Sequence, residues 1–267
     1  MTSSPTAPAS PEASPLSARS LVASTLLGTY PPRLPGRLLV RFAVEFGIAE
    51  GTTRVALSRM VAAGELVADD GVYELTGRLR DRQHRQELSR RPQLATWDGT
   101  WDLALVHDGR RSPAERHDLR EAMRALRLAE LRDGVWTRPA NLDPERLPDA
   151  AEVVDRQCRW LRSTLREGDD AELAASLWDP PSWIDRASEL CDAMAAVVDD
   201  LEANRTAALA DGFVLAAAVL RHLLADPLLP EPLLPSTWNG SSLRTHYDRY
   251  DVAYRALLRE WFGNQRR

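Results

Sequence analysis

The 267-residue sequence predicts an α+β protein, mainly helical, that opens on a winged helix-turn-helix. Three observations carry this reading. The first 64 residues contain three helix-periodic segments with recognisable starts and stops, a short hairpin pattern follows the third directly, and long helical runs fill the chain from Pro181 onward.

The elements follow in order. Ser17 is placed to cap a helix running to about Tyr30, with Leu21, Leu26 and Leu27 available to a core, before the Pro31-Pro32 break. Pro35 to Phe46 is amphipathic, with Leu38, Leu39, Phe42 and Phe46 on one side, and Gly47 supplies a left-handed stop ahead of a tight turn at Gly47-Ile48. The third helix spans Glu50 to Ala63. At 3.6 residues per turn it puts Thr53, Ala56, Leu57, Met60 and Val61 on one side, and Thr52, Val55, Ser58, Arg59 and Ala62 on the other, with Arg54 at the flank. A solvated helix ordinarily fills its outer face with long charged chains. Short hydroxyls, two arginines and a branched apolar residue instead suit a major groove, where arginine grips a guanine edge, hydroxyls reach bases or phosphates and a valine meets a thymine methyl. Thr52, Thr53, Arg54, Val55, Ser58 and Arg59 are therefore the candidate DNA contacts. Gly64 ends the helix, and Leu66-Val67-Ala68 and Val72-Tyr73-Glu74-Leu75 read as strands joined at Asp69-Asp70-Gly71. This wing is short and acidic at its tip, and Ala49 has no oxygen with which to cap the recognition helix.

Leu75 to Arg91 is expected to be a linker helix carrying Arg78, Arg80, Arg82, Arg85, Arg90 and Arg91, either solvated or touching phosphate. Beyond it, Trp101 to His107 alternates as a strand, Ser112 to Leu128 reads as a helix opened by Ser112-Pro113, Gly134 to Arg138 as a second strand, Cys158 to Leu165 as a further one and Asp170 to Leu177 as the next helix. Trp183 to Ala203, Asp211 to Leu224 and Ser242 to Trp261 are the later helices, with Pro227 to Pro235 an ordered extended segment. The organisation expected is a disordered tail at 1–16, a DNA-binding domain at 17–77, a linker at 78–96, a central domain at 97–178 and a helical domain at 179–267.

Composition narrows the function classes. The net charge of −5 is unevenly spread, with twelve Arg against eight Asp and Glu between Leu16 and Ala95 and the excess acid elsewhere. A basic N-terminal module on an acidic body suits a protein that meets phosphates with one part only. All 34 basic side chains are arginine, a pattern that suits bidentate contacts and that a GC-rich genome also produces. Cys158 and Cys191 lack metal-ligand spacing and read as reduced, buried thiols. No apolar run approaches the roughly 20 residues of a membrane span, and the Ser, Pro and Ala-rich start carries no basic residue before Arg19, so a cytoplasmic protein without membrane attachment is expected. No catalytic constellation, metal site or cofactor motif emerges, and the five histidines are scattered.

Three blocks in order give the chain a resemblance to the PaaX family, the bacterial repressors of phenylacetic acid catabolism and their relatives. They are LLGTYPPRLPGRLLVRFAVEFGIAEGTTRVALSRMVAAGEL, with Arg54, Ala56, Leu57, Ser58 and Arg59 as its core; Trp97-Asp98-Gly99-Thr100-Trp101 followed by Gly134-Val135-Trp136-Thr137-Arg138-Pro139; and Asp226-Pro227-Leu228-Leu229-Pro230 to Leu234-Pro235 with Trp238-Asn239-Gly240. The resemblance covers about Ala18 to Phe262. It implies a central ferredoxin-like, Cas2-like domain with βαββαβ order finishing near Leu177, a helical C-terminal domain, and a homodimeric repressor of double-stranded operator DNA, released by an acyl-CoA such as phenylacetyl-CoA or by a related aromatic effector. Eight tryptophans against four phenylalanines fit either core packing or an aromatic effector pocket, for which Trp101, Trp136 and Arg138 are the candidates. Two other functions compete: a metal-dependent nuclease using the Cas2-like middle and Asp108 at the end of its first strand, and a protein-interaction module using the same winged helix.

Overall fold

The computed structural model describes residues 16–265, so nearly all of the expected N-terminal tail lies outside the described residues. The chain divides into two compact units, with the boundary between Asp81 and Arg82.

The first unit holds α1 (Ala18–Leu27), β1 (Arg33–Pro35), α2 (Gly36–Glu45), α3 (Glu50–Ala62), β2 (Leu66–Asp69) and β3 (Val72–Leu75), and α4 (Gly77–Arg90) begins in it. The Ser17 hydroxyl caps α1 by accepting from the Ser20 amide at 3.1 Å. All three helices pack on one another through Leu21, Leu26, Leu38, Phe42, Leu57 and Met60, each at most 2% exposed. The hairpin closes on Asp70 and Gly71, whose φ values of 43° and 71° make the two-residue turn whose twist matches the strands. β1 is an addition to the expected elements. It pairs antiparallel with β3, giving the order β1-β3-β2, and Pro35 is tolerated because an edge strand need not donate along its outer side. Gly36 follows it so closely that a Cβ there would lie 2.6 Å from the Tyr73 ring.

The second unit begins with the rest of α4 and continues as β4 (Trp101–Val106), α5 (Pro113–Ala125), β5 (Ala129–Arg132), β6 (Val135–Pro139), α6 (Pro148–Gln157) and β7 (Cys158–Ser163). Strand order β5-β6-β4-β7, antiparallel throughout, makes this a ferredoxin-like βαββαβ sheet. The pattern therefore closes at β7. Its second helix is α6, and the segment expected in that place, α7 (Asp170–Leu177), follows the last strand. Sequence reading misses α6 because it starts on Leu147 without a side-chain cap, and misses β5 because four mostly exposed residues with a register shift show no alternation. α5 is secured by a capping box: the Ser112 hydroxyl accepts from the Glu115 amide, and the Ser112 amide donates to the Glu115 carboxylate.

α8 (Pro180–Glu202), α9 (Leu209–Leu224) and α10 (Gly240–Asn264) then form a three-helix layer. Contrary to expectation, residues 206–224 are long and apolar enough by length and composition alone to cross a membrane. One side of this stretch packs against α8 and α10. Alternation across β4 splits the sheet's two faces. Ala104 faces α5 and α6 with Met123, Val154 and Cys158, whereas Trp101 on the opposite face joins Ala174 of α7 and Leu229 and Leu233 of the segment before α10.

Candidate nucleic-acid interface

The outer face of α3 is assembled by what its inner face buries. Thr53, Leu57 and Met60 are buried, which turns Thr52, Arg54, Val55, Ser58 and Arg59 outward, with Val55 51% exposed. Two sequence assignments are corrected here. Thr53, a candidate DNA contact, is fully buried, and its hydroxyl leans on the Ala49 carbonyl at 3.4 Å, so it belongs to the packing face. Val61, expected in that packing face, is exposed because the helix's buried stripe is only one residue wide at its C-terminal turn.

The exposed side chains are held loosely. Arg54 pairs with Glu50 one turn earlier at 2.7 Å, with both side chains more than half exposed. Such a pair is worth about 0.3–0.5 kcal/mol, so the guanidinium can exchange Glu50 for a better-aligned acceptor at small cost. The Ser58 hydroxyl donates back to the Arg54 carbonyl at 3.1 Å and can rotate outward at small cost. Arg59 forms no ion pair among the described residues. As its sequence requires, α3 has no side-chain cap at Ala49, and Asp69 and Asp70 stand exposed at the tip of the hairpin.

The linker arginines separate into classes. Arg78 is exposed, and Arg91 is exposed beside Glu87 at 3.7 Å. Arg90 is engaged elsewhere: it bridges Asp248 at 2.9 Å and Asp251 at 3.0 Å and lies 5.0 Å over the Tyr247 ring. Those carboxylates more than offset its burial and hold its pKa above the ordinary arginine value.

Trp101, Trp136 and Arg138 do not converge on one pocket. In the β4–β6 register Trp136 stands opposite Ala104 and Arg138 opposite Asp102, so both share one face while Trp101 occupies the other. Trp101 is 3% exposed, donates from Nε1 to Asp170 at 2.7 Å and stacks near Trp178; Trp136 packs into the cluster under α5 and α6. Arg138 is 3% exposed and donates to the carbonyls of Pro139, Leu126 and Leu228 and to Asn141 Oδ1. It is thus the centre of a buried hub that sequence reading does not find. Asn141 also donates to the Leu228 carbonyl; Asp226 caps Leu228 and takes an ion pair from Arg244 at 2.7 Å; Arg244 donates to the Ser89 carbonyl; and Arg127 reaches the Ser89 hydroxyl and the Leu224 carbonyl. Burial, and then the charge of Arg127, pulls Arg138 down to about 9 and burial pulls Arg127 to about 10, so both remain protonated at neutral pH. The C-terminal turns of α5 and α9, carrying roughly −0.5 each, meet the charges of Arg138 and Arg127 through the Leu126 and Leu224 carbonyls, while the Ser89 carbonyl at the end of α4 and the Asp226 carboxylate meet that of Arg244. The hub joins Gly134–Pro139 to Asp226–Pro230, two of the blocks on which the sequence resemblance rests.

Among the described residues no three His, Cys, Asp or Glu side chains gather as a metal site, and Asp108 is exposed in the loop after β4. Cys158 is buried in the core and its thiol is pushed up to about 11 by that burial.

Comparison with known proteins covers nearly the whole chain. Three family models match in succession: PaaX-like protein over residues 17–79, PaaX protein central Cas2-like domain over 94–171, and PaaX-like protein C-terminal domain over 178–263. The chain belongs to the PaaX family. PaaX membership points to a transcriptional regulator rather than an enzyme. Among solved structures, the uncharacterized protein Rv0674 from Mycobacterium tuberculosis is 39% identical, with a TM-score of 0.67 over 91% of this chain and 97% of that one. No curated protein matches. The PaaX central model coincides with the βαββαβ sheet, and the C-terminal model with the α8–α10 layer.

Proposed function

We propose that this protein is a cytoplasmic, homodimeric transcriptional repressor of a catabolic operon, serving phenylacetate or related aromatic or acyl-CoA metabolism, which releases double-stranded operator DNA when an acyl-CoA-type effector binds. The observation that carries this reading is the outward set Thr52, Arg54, Val55, Ser58 and Arg59 on α3, in a unit whose order of helix, strand, two helices and hairpin is that of a winged helix. Residues 17–77 then read DNA, 78–96 link, and 97–178 and 179–267 supply the central and C-terminal domains. Two copies of α3 on a two-fold axis read half-sites about one helical turn, or a multiple of it, apart. The short acidic hairpin adds little, so base reading rests on α3 itself.

The test is footprinting and titration on the DNA flanking the protein's own gene. Arg54→Ala with Arg59→Ala is expected to weaken operator binding by about 2–6 kcal/mol and to flatten its salt dependence, with urea stability changed by under about 0.5 kcal/mol. Unaffected binding sinks the reading. Titrating aromatic acyl-CoAs into the complex checks the effector, and no release by any of them removes that part of the assignment.

A further inference from the structure

The helix α4 belongs to both compact units, since the boundary falls between Asp81 and Arg82. Its first end is set where the chain leaves α3. The Thr76 amide donates to the Glu65 carbonyl at 3.0 Å, and Gly77, at a φ of 49°, sits so close to Gly64 that a Cβ would lie 3.0 Å from the Gly64 carbonyl oxygen. Its other end is set by polar bonds. Leu79, Gln83, Gln86 and Ser89 are the buried stripe of the helix, and only the first of them is apolar. Ser89 accepts from Arg127 at its hydroxyl and from Arg244 at its carbonyl, and His84 Nε2 lies 3.0 Å from the Arg146 carbonyl oxygen. Arg90, with its side chain 10% exposed, meets Asp248 and Asp251 of α10 through the single nitrogen Nη2. Every partner in these ties belongs to the second unit.

A polar stripe of this kind contributes little hydrophobic attraction, and what it supplies is direction. Apolar faces slide over one another at small cost, whereas shifting a buried ion pair or hydrogen bond leaves its partner unmet. Arg90 Nε is itself buried without a partner, a cost that an apolar anchor at the same place would not carry. Arg90 lies 13 residues beyond Gly77. That is about 20 Å of helix, so a tilt of about 10° at the clamp moves the far end by roughly 3 Å, close to one base-pair step of DNA. In a dimer whose copies join outside the DNA-reading unit, the separation of the two α3 helices is therefore passed through two copies of α4. We propose that Arg90 is a positioning residue for operator reading: its clamp on Asp248 and Asp251 fixes the line of α4, and with it the half-site spacing that the two α3 helices accept. This rests on the dimeric regulator proposed above and adds the residue that sets its geometry. Phosphate contact, the other use open to a linker arginine, is closed to Arg90 by its burial and its two carboxylates.

The test is titration of the full chain on three duplexes: the operator found by footprinting, the same operator with its half-sites moved apart by about 5 base pairs, half a helical turn, and a single half-site. The starting protein is expected to bind the shifted duplex at least about thirtyfold more weakly than the operator, because stiff arms cannot engage both half-sites at once. Arg90→Met removes both ion pairs and keeps the stem of the side chain. It should bring that ratio to within about fivefold, by weakening operator binding and strengthening binding to the shifted duplex, while affinity for the single half-site stays within about twofold. Asp248→Asn with Asp251→Asn opens the same clamp from α10 and should act alike. Asp248→Asn alone, at a side chain 50% exposed, is the mildest of the set and should move the ratio in the same direction, which keeps the test decisive if the others fail to fold. Thermal melts identify the folded variants. A merely structural role would lower the melting temperature and leave the ratio where it was. An unchanged ratio in the folded variants, half-site binding that falls as far as operator binding, or a starting protein indifferent to spacing overturns the proposal and leaves the regulator standing. A starting protein that binds none of the duplexes sinks the regulatory reading and the positioning role with it.

Discussion

The same side chain does opposite work in the two units. On α3, Arg54 and Arg59 stand in solvent with one weak ion pair, that of Arg54 to Glu50, whereas Arg127, Arg138 and Arg244 in the second unit are enclosed and hold carbonyls, an amide oxygen and a carboxylate. The difference is one of prior engagement. A guanidinium whose five N–H groups face water can be taken over by a base edge, because the water it loses is replaced by better-aligned acceptors. One already bonded to four protein acceptors, like Arg138, would have to give them up first. In a chain without lysine, burial alone thereby separates the arginines left open to a ligand from those that hold the fold.

The largest expected effect breaks the buried side of this comparison. Arg138→Met keeps much of the volume but leaves the Leu126 carbonyl and Asn141 Oδ1 without the donor that Arg138 supplies, and the Leu228 carbonyl with Asn141 alone, at a buried site. Removing one partner of such a network is expected to cost about 3–5 kcal/mol, read as a lower urea midpoint. A loss below about 1 kcal/mol would show that the hub is not what holds Asp226–Pro230 to the sheet.

How far the sequence reveals these two regions follows from their physics. The α3 face is legible because helical period is local: Leu57 and Met60 predict what points inward, and so what points out. Thr53 is counted among the contacts for its hydroxyl although the same period sets it on the side of Leu57 and Met60, and its full burial there bears out the period over the residue type. The hub is illegible for the opposite reason. Its members, from Ser89 through Arg127, Arg138 and Asn141 to Asp226 and Arg244, are brought together by tertiary contact, and no spacing encodes that. Two hints do exist, the Gly134–Pro139 and Asp226–Pro230 blocks, yet their link through the Leu228 carbonyl needs coordinates. α6 and β5 are lost to weak local signals, while β7, α8 and α10 announce themselves by alternation or length.

A neighbouring pair of threonines sharpens the boundary between reading face and packing face. Thr52→Val removes an exposed hydroxyl and is expected to weaken operator binding by about 1 kcal/mol, roughly fivefold, with no change in the urea midpoint. Thr53→Val acts on a side chain at 0% exposure, so it should leave operator affinity within about twofold and shift stability by about 1 kcal/mol at most. Gel-shift titrations beside urea melts separate the two, and reversed results would place the interface on the other side of α3.

The smallest effect concerns Glu50, which holds Arg54 at 2.7 Å in the free protein. The carboxylate works against DNA twice: it competes for the guanidinium, and it brings a negative charge to the face that would approach phosphate. It also favours the free helix, since an acidic group in the first turn complements the dipole of a helix whose Ala49 supplies no cap. Glu50→Gln removes the charge while keeping the side chain's length. Operator affinity should therefore rise about two- to threefold at low salt, with the gain shrinking as salt screens the pair, while stability falls by about 0.3–1 kcal/mol. Affinity that drops instead would mean that Glu50 positions Arg54 for its contact, and that the exposed arginine is held in place by its protein partner just like the buried ones.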